Sequence, residues 1–149
     1  MNLSFRPPVP DDHARVAAVI DAWWGGRQMG LMLPRLFFTH FADTSFIVED
    51  EDGELAGFLI GFLSQSRPGE SYIHFVGVAP SQRGTGLGRE LYRRFFAIAA
   101  ERGATRVGCV TSPRNGGSIA FHTAMGFEGH EAAGYDGAGE DRVVFTRAL

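Results

Sequence analysis

Glycine recurs at alternate positions in residues 83–88, between an apolar run at 73–78 and a segment with helical periodicity. Glycine permits backbone conformations that are closed to other residues, and it lets a ligand approach the main chain. The first N–H groups of a helix have no partner within it, so those that follow Gly86 can bind an anion. The stretch therefore predicts a strand, a glycine loop and a helix, with a pyrophosphate as its natural ligand.

The spacing of these glycines differs from two well-known phosphate-binding motifs. A Walker loop needs GxxxxGK followed by Ser or Thr, and this loop has no lysine. A dinucleotide fingerprint needs GxGxxG, whereas Gly84, Gly86 and Gly88 give GxGxG. Both of those functions are disfavoured, and a turn that uses glycine for steric reasons alone is the alternative to a ligand loop.

The elements that position this loop alternate between strands and helices. The helix after the loop connects strands 71–78 and 106–111, which makes them parallel with a right-handed crossover. An Asp52–Gly53 turn predicts an antiparallel hairpin before them. Further strands are predicted at 3–7, 45–49, 54–64, 127–131 and 143–147, and further helices after a cap at Asp11 or Asp12, at about 33–41 and at 118–125.

Composition bounds the class of protein. The chain has 149 residues, 44% of them apolar, which fits one domain over 1–149 with a packed core. Its net charge of −3 argues against nucleic-acid binding. Cys109 is the single cysteine and lies in an apolar run, so we expect a buried structural thiol and a reducing, cytoplasmic location without membrane anchorage. No metal site is predicted, and a homodimer is plausible from base rates.

Two motifs together resemble a known family. Arg83, Gly86 and Gly88 form RxxGxG, and Asn115 precedes a short helix that ends in Gly126 and Phe127. Their order and spacing resemble the GNAT superfamily of N-acetyltransferases, and with the amino-terminal strand and helix the resemblance spans nearly the whole chain. It implies an α/β (α+β) fold with a single mixed, mostly antiparallel sheet of six to seven strands, flanked by about four helices. A split between strands 71–78 and 106–111 would admit acetyl-coenzyme A.

The resemblance also implies which residues bind the cofactor. Loop N–H groups would hold the pyrophosphate, and the strand before the loop would pair with the pantetheine arm. Gly77, unusual inside a strand, marks either a bulge, a close ligand approach or close packing. The cofactor-binding set is Val76, Gly77, Val78, Arg83, Gly84, Thr85, Gly86, Leu87, Gly88, Asn115, Ser118 and Phe121.

Acetyl transfer to an amine needs the neutral amine, and this requirement points to candidate catalytic residues. His74 is a candidate base because histidine titrates near neutral pH, and Glu70, acting through water, is a second. A hydrogen-bonded core histidine is the alternative for His74. The family usually has tyrosine where this chain has His122, which could protonate the leaving thiolate as a cation or only position the sulfur. An N–H of Val76 or Gly77 would stabilise the oxyanion.

Substrate contacts are expected from the connection after the first helix and from the last hairpin. Trp24, Arg27, Tyr72 and Tyr135 are the candidates, and the guanidinium of Arg27 could hold a carboxylate. We expect direct acetyl transfer from acetyl-coenzyme A to a primary amine of a small molecule or peptide in a ternary complex. A non-catalytic sensor of coenzyme A is the alternative function.

Overall fold

A computed structural model describes residues 2–149, which form one seven-stranded mixed sheet with helices on both faces. The strand order is β1-β2-β3-β4-β5-β7-β6, and all neighbours are antiparallel except the parallel pair β4 and β5. This is the fold expected from the sequence. The strands are β1 Ser4–Arg6, β2 Phe46–Glu49, β3 Leu55–Leu63, β4 Glu70–Val78, β5 Arg106–Thr111, β6 Glu128–Ala132 and β7 Arg142–Ala148, and the α-helices are α1 Asp12–Trp23, α2 Leu36–His40, α3 Leu87–Glu101 and α4 Gly116–Ala124.

Two apolar clusters lie on opposite faces of the sheet. One is covered by α3 and α4, with Leu91 and Phe95 fully buried against it. The other is covered by α1 and α2, where Val16, Ile20 and Phe38 are buried. The helices bury the apolar stripes that their periodicity indicates, because each stripe of an amphipathic helix must face the sheet. The sheet is thus fixed from both sides around β3 and β4.

The second helix is shorter than predicted. In place of one helix over about 33–41, the chain forms a 3-10 turn, Gly30–Met32, and then α2. Pro34 accounts for this break, because the residue before a proline avoids the helical conformation. Leu33, which precedes Pro34, accordingly has a non-helical backbone with ψ of 70°.

The prediction that Asp11 or Asp12 caps α1 with its side chain is wrong. Asp11 occupies the capping position without a side-chain cap bond. Asp12 is buried, and its carboxylate accepts two hydrogen bonds from Arg6 at 2.8 and 2.9 Å. Burial opposes ionisation of Asp12, but the hydrogen bonds from Arg6 hold its pKa below the ordinary value. Asp12 therefore connects α1 to β1 through an ion pair, and Arg6 extends that connection to Glu49 on β2 at 3.0 Å.

Candidate active site

The two parallel strands part soon after they meet. β4 and β5 pair only at residues 70–72 with 106–108, and beyond these residues no pairing joins them in the described chain. A cavity of about 660 Å³ occupies the region where they diverge. The split predicted between these strands is therefore present, and it opens towards the glycine loop after β4.

The ladder between β3 and β4 decides which main-chain groups face the split. The Ala79 N–H donates to the Ala56 carbonyl at 2.9 Å. Hydrogen-bonded pairs alternate along an antiparallel ladder, so the main-chain groups of Gly77 also point towards β3. Those of Val76 and Val78 point away from β3 and into the split. These two residues can therefore pair with an extended ligand, as predicted.

Gly77 serves packing. A Cβ atom at this position would lie 2.5 Å from the ring of Phe58 and 3.1 Å from the ring of Trp24. Because its N–H faces β3, Gly77 is not an oxyanion donor or a main-chain ligand of the cofactor, which corrects one of our predicted contacts. Of the two predicted donors, only the Val76 N–H faces the split.

A β-bulge places His74 in the cavity. Phe75 and Ile73 are paired with successive residues of β3, which leaves His74 as the extra residue between them. A bulge reverses the alternation of side chains beyond it. Simple alternation along β4 would put Tyr72, His74 and Val76 on one face. The bulge moves Val76 to the other face, where its side chain packs against the cluster under α3.

The glycine loop has the backbone geometry of an anion site. Gly84 and Gly86 have left-handed φ values of 78° and 87°, and Gly86 is the N-cap of α3. The first intrahelical bond runs from Glu90 N–H to Gly86 carbonyl at 3.0 Å, so the helix does not use the N–H groups of residues 87–89. The N–H groups of Arg83 and Thr85 instead donate to the Pro80 and Gln82 carbonyls at 3.4 and 3.3 Å, which corrects the prediction that they bind the pyrophosphate. Leu87 is buried, so only its main chain is offered to a ligand.

Two loop side chains are already engaged. The Arg83 guanidinium donates to the Trp23 carbonyl at 2.6 Å, and the Thr85 hydroxyl donates to the Gln82 carbonyl at 2.5 Å. Arg83 thus connects the loop to the end of α1. Anion binding at this loop rests on N–H groups and the helix dipole more than on side-chain charge.

The amino-terminal end of α4 contributes polar groups to the cavity. Asn115 caps this helix by accepting the Ser118 N–H at 3.0 Å, and both residues line the cavity. The amide nitrogen of Asn115 remains a donor for a ligand. Phe121 instead lies between α3 and α4, where its ring is 3.7 Å from the position of a Cβ at Gly88. The ring is half-buried beside the glycine loop, and its contact with the cofactor stays a prediction.

His122 is buried in the cavity wall with both ring nitrogens bonded. Nδ1 lies 2.7 Å from the Ser118 carbonyl, which can only accept, so Nδ1 carries the hydrogen. Nε2 then accepts from the Tyr92 hydroxyl at 2.8 Å. Burial lowers the pKa of His122, although the bond to Ser118 opposes this. The imidazole is neutral near pH 7, which argues against the first of the two predicted roles, proton donation as a cation, and leaves the second, positioning of the sulfur.

Tyr92 is a polar residue of the site that sequence reasoning missed. Its side chain is 2% exposed, and burial raises the pKa of its phenol well above the ordinary value. It lies next to Leu91 on α3, and no pattern in the sequence pointed to it. A buried phenol needs a hydrogen-bond partner, and this requirement is the signal that could have linked it to His122.

The acceptor end brings the predicted substrate residues together. Trp24, Arg27, Tyr72 and Tyr135 all line the cavity with His74. The ring of Trp24 packs edge-on against Phe75, with centroids 4.9 Å apart. Burial raises the pKa of Tyr72, so this phenol is neutral near pH 7.

His74 has one bonded and one available ring nitrogen. Nε2 lies 2.6 Å from the Met32 carbonyl and must therefore donate, which leaves the lone pair on Nδ1. The ring is stacked on Phe37, with centroids 4.3 Å apart. Burial lowers the pKa of His74, against the effect of its hydrogen bond to Met32. The sequence left two interpretations of His74 open, a hydrogen-bonded core residue and a base. In the structure His74 is hydrogen-bonded and also presents a neutral imidazole to the cavity.

Glu70 lies outside this cavity. It begins β4 at the closed end of the split and forms an ion pair with Arg106 at 2.6 Å. A carboxylate held in this pair is not placed to take a proton from an amine near His74. We therefore assign Glu70 to strand pairing, which corrects the prediction that it is a second candidate base.

Cys109 is the buried thiol that the sequence predicts. It is 4% exposed, and burial raises its pKa to about 12. A thiol of this kind is not a thiolate near pH 7 and is a poor nucleophile.

Among residues 2–149, no helix is long and apolar enough to cross a membrane. In the same part of the chain, no cluster of three or more histidine, cysteine, aspartate or glutamate residues could hold a metal ion.

The model of the Acetyltransferase (GNAT) family matches residues 7–127. The L-2,4-diaminobutyric acid acetyltransferase of Nocardia farcinica is 34% identical over 79 residues, which cover 53% of this chain and 41% of the relative. The chain spans less than half the length of this and the next two curated relatives.

Solved structures show the same fold over almost the whole chain. A GNAT-family protein from Desulfovibrio desulfuricans superposes with a TM-score of 0.81 at 19% identity, covering 99% of both chains. The diaminobutyrate acetyltransferase of Paenibacillus lautus, solved with L-2,4-diaminobutyric acid and coenzyme A, gives a TM-score of 0.75 at 24% identity, covering 99% of this chain and 95% of the other.

Proposed function

Because the chain belongs to the acetyltransferase (GNAT) family, we propose that it transfers an acetyl group from acetyl-coenzyme A to a primary amine. The observation that carries this proposal is the split between β4 and β5, which joins the glycine loop to a cavity lined by His74. One end can hold a diphosphate and the other can hold an amine, so a thioester that extends between them would meet the acceptor.

The cofactor fits the groups that face the split. Free N–H groups at the start of α3 suit a pyrophosphate, and the outward main chain of Val76 and Val78 suits the amide-bearing pantetheine arm. Asn115 and Ser118 add polar contacts across the split. When bound, acetyl-coenzyme A supplies an activated acyl group as a thioester.

Val76 and His74 have complementary roles in the transfer. The Val76 N–H would donate to the acyl oxygen as negative charge develops there, a contribution of roughly 10²- to 10³-fold in rate for donors of this kind. His74 would accept a proton from the amine at Nδ1, directly or through one water, because that nitrogen keeps its lone pair. Neither step needs a covalent bond to the protein, which agrees with the buried thiol of Cys109.

A small molecule is the acceptor class that the cavity favours. Its volume of about 660 Å³ is shared between the acyl end of the cofactor and the acceptor, and small-ligand sites have volumes of roughly 300–1,000 Å³. The Nocardia relative is named for a small diamino acid, which supports the same class. The expectations of a cytoplasmic location, of no nucleic-acid partner and of a homodimer stay predictions.

Calorimetry followed by a turnover assay tests the proposal. We expect saturable binding of acetyl-coenzyme A, weaker binding of ATP and NAD, and release of free thiol when an amine panel that includes L-2,4-diaminobutyric acid is added. Mass spectrometry should show one acetyl group on the amine. Tight cofactor binding without acetylation of any amine would favour the coenzyme A sensor instead, and absence of cofactor binding would contradict both functions.

A further inference from the structure

The charged side chains that line the cavity are unequally paired. They are Arg27, Asp136 and Arg142. Asp136 and Arg142 form an ion pair at 2.8 Å, and Glu140 lies 3.7 Å from the same guanidinium. Within the described chain, no carboxylate lies within ion-pair distance of Arg27. The charged side chains that the last hairpin contributes to the cavity are thus paired with each other. Arg27, which the segment after α1 contributes, is an unpaired cation.

The segment that carries Arg27 is held in place by short-range bonds. The Asp21 carboxylate accepts the N–H groups of Met29 and Gly30 at 2.9 and 3.0 Å. The Gly26 N–H donates to the Asp21 carbonyl at 2.8 Å, in a left-handed conformation with φ of 87°. The loop is therefore closed on both sides of Arg27, and the position of this residue at the cavity is set by backbone contacts.

Resting on the proposed function, we infer that the acceptor is an amine that also carries a carboxylate, and that Arg27 binds this carboxylate. A guanidinium has a planar pair of donors that matches a carboxylate in two parallel hydrogen bonds. Arg27 is thus placed to select a substrate by its carboxylate.

An acidic acceptor group could equally be a phosphate, since Arg27 recognises both anions. The two sources differ in shape and charge, and β-alanine and phosphoethanolamine present them on the same two-carbon amine. We commit to the carboxylate because Arg27 is the one unpaired charge among the described residues that line the cavity, and a single cation balances a carboxylate but not a divalent phosphate.

The test measures kcat/KM for amino acids and for the amines that remain when their carboxylate is removed. The pairs are ornithine with putrescine and lysine with cadaverine. We expect the wild-type protein to prefer the amino acid, and Arg27→Gln to lower the amino acid to diamine ratio about 10- to 100-fold. Arg27→Lys should fall between, because a point charge keeps the attraction but loses the paired geometry.

Arg93→Gln is the matched control, since Arg93 is exposed on α3 and does not line the cavity. It removes the same charge and should leave the ratio unchanged. An unchanged ratio in Arg27→Gln, with both compounds still acetylated, would overturn the carboxylate proposal and leave the acetyltransferase function intact. A preference for phosphoethanolamine over β-alanine would overturn it in favour of a phosphate. Failure of the wild-type protein to acetylate any of these amines would overturn the carboxylate proposal and count against the proposed function.

Discussion

The proposed site has two ends that are built from different parts of the chain. At the proposed cofactor end, the groups open to a ligand are main-chain N–H and carbonyl groups of β4 and of the glycine loop. At the acceptor end they are side chains, chiefly Arg27 and His74, brought from a loop and from a β-bulge. A site made of main-chain groups tolerates replacement of side chains but not a change of backbone conformation. A site made of side chains is instead lost when those side chains are replaced. The predictions below test this contrast.

The largest effect is expected for His74→Gln. A glutamine amide can still donate to the Met32 carbonyl, but it cannot accept a proton from an ammonium. We expect kcat at saturating amine to fall about 100-fold with little change in cofactor affinity. In the wild-type protein, burial lowers the pKa of His74, so kcat should decline only as the pH falls below the ordinary histidine value of 6.5.

His13→Gln is the control for this variant. His13 also contacts a carbonyl of the same segment, that of Leu33 at 3.0 Å, but it does not line the cavity. Its replacement should leave kcat within about threefold of the wild-type value, because His13 lies away from the cavity and a glutamine amide can still donate to the Leu33 carbonyl. If both histidine variants lose activity equally, His74 acts as an anchor and not as a base.

Gly86→Ala should weaken cofactor binding about tenfold. The φ of 87° is costly for alanine, by roughly 1–2 kcal/mol, so the loop would shift and its N–H groups would lose their alignment. Calorimetric titration with coenzyme A measures the change.

Gly53→Ala separates strain from ligand binding. Gly53 has a similar φ of 77°, and an added Cβ meets nothing within 4 Å at either glycine. This variant should lose similar stability while binding coenzyme A normally. Normal affinity in Gly86→Ala would mean that the cofactor end does not depend on loop conformation, which would contradict the comparison.

The same contrast explains which features the sequence predicted. The glycine loop and the helix after it follow from local patterns, because spacing and periodicity act within a few residues of each other, whereas the split between the parallel strands was expected from the resemblance to the GNAT superfamily. The bulge at His74 depends on how β3 pairs with β4, and no local signal marks it. The pairing of Glu70 with Arg106 likewise depends on neighbouring strands that are distant in sequence. Local patterns therefore predicted the conformation of the loop, but not the contacts that depend on strand pairing.

Tyr92 and His122 form the boundary between the two ends, and we expect them to be energetically coupled. Tyr92→Phe leaves Nε2 of His122 without a donor, and His122→Phe leaves the phenol without an acceptor. Each single change should lower the free energy of unfolding by roughly 1–3 kcal/mol. The double replacement should cost less than the sum, because it removes both polar groups. Denaturant unfolding of the four proteins gives the coupling, and additive costs would show that the two residues act independently.

The pH dependence of stability sharpens the role of His122. Burial keeps its folded pKa below 6.5, so the unfolded chain takes up the proton first as the pH falls. The unfolded state then binds more protons than the folded state, and the free energy of unfolding declines below pH 6.5 until the folded imidazole also titrates. His74 contributes with the same sign. Unfolding curves of His122→Phe should therefore be less sensitive to acid than those of the wild-type protein.

The smallest effect is expected for Cys109→Ala. This thiol lines the cavity, but burial raises its pKa to about 12, so near pH 7 it is a neutral packing group. Direct transfer from thioester to amine makes no bond to the protein, and kcat should stay within about twofold, with a modest loss of stability from the smaller side chain. Loss of turnover in a protein that still unfolds cooperatively and binds coenzyme A would instead require an acetylated cysteine. The acceptor end would then supply a nucleophile as well as a base, so its side chains would also take part in covalent chemistry.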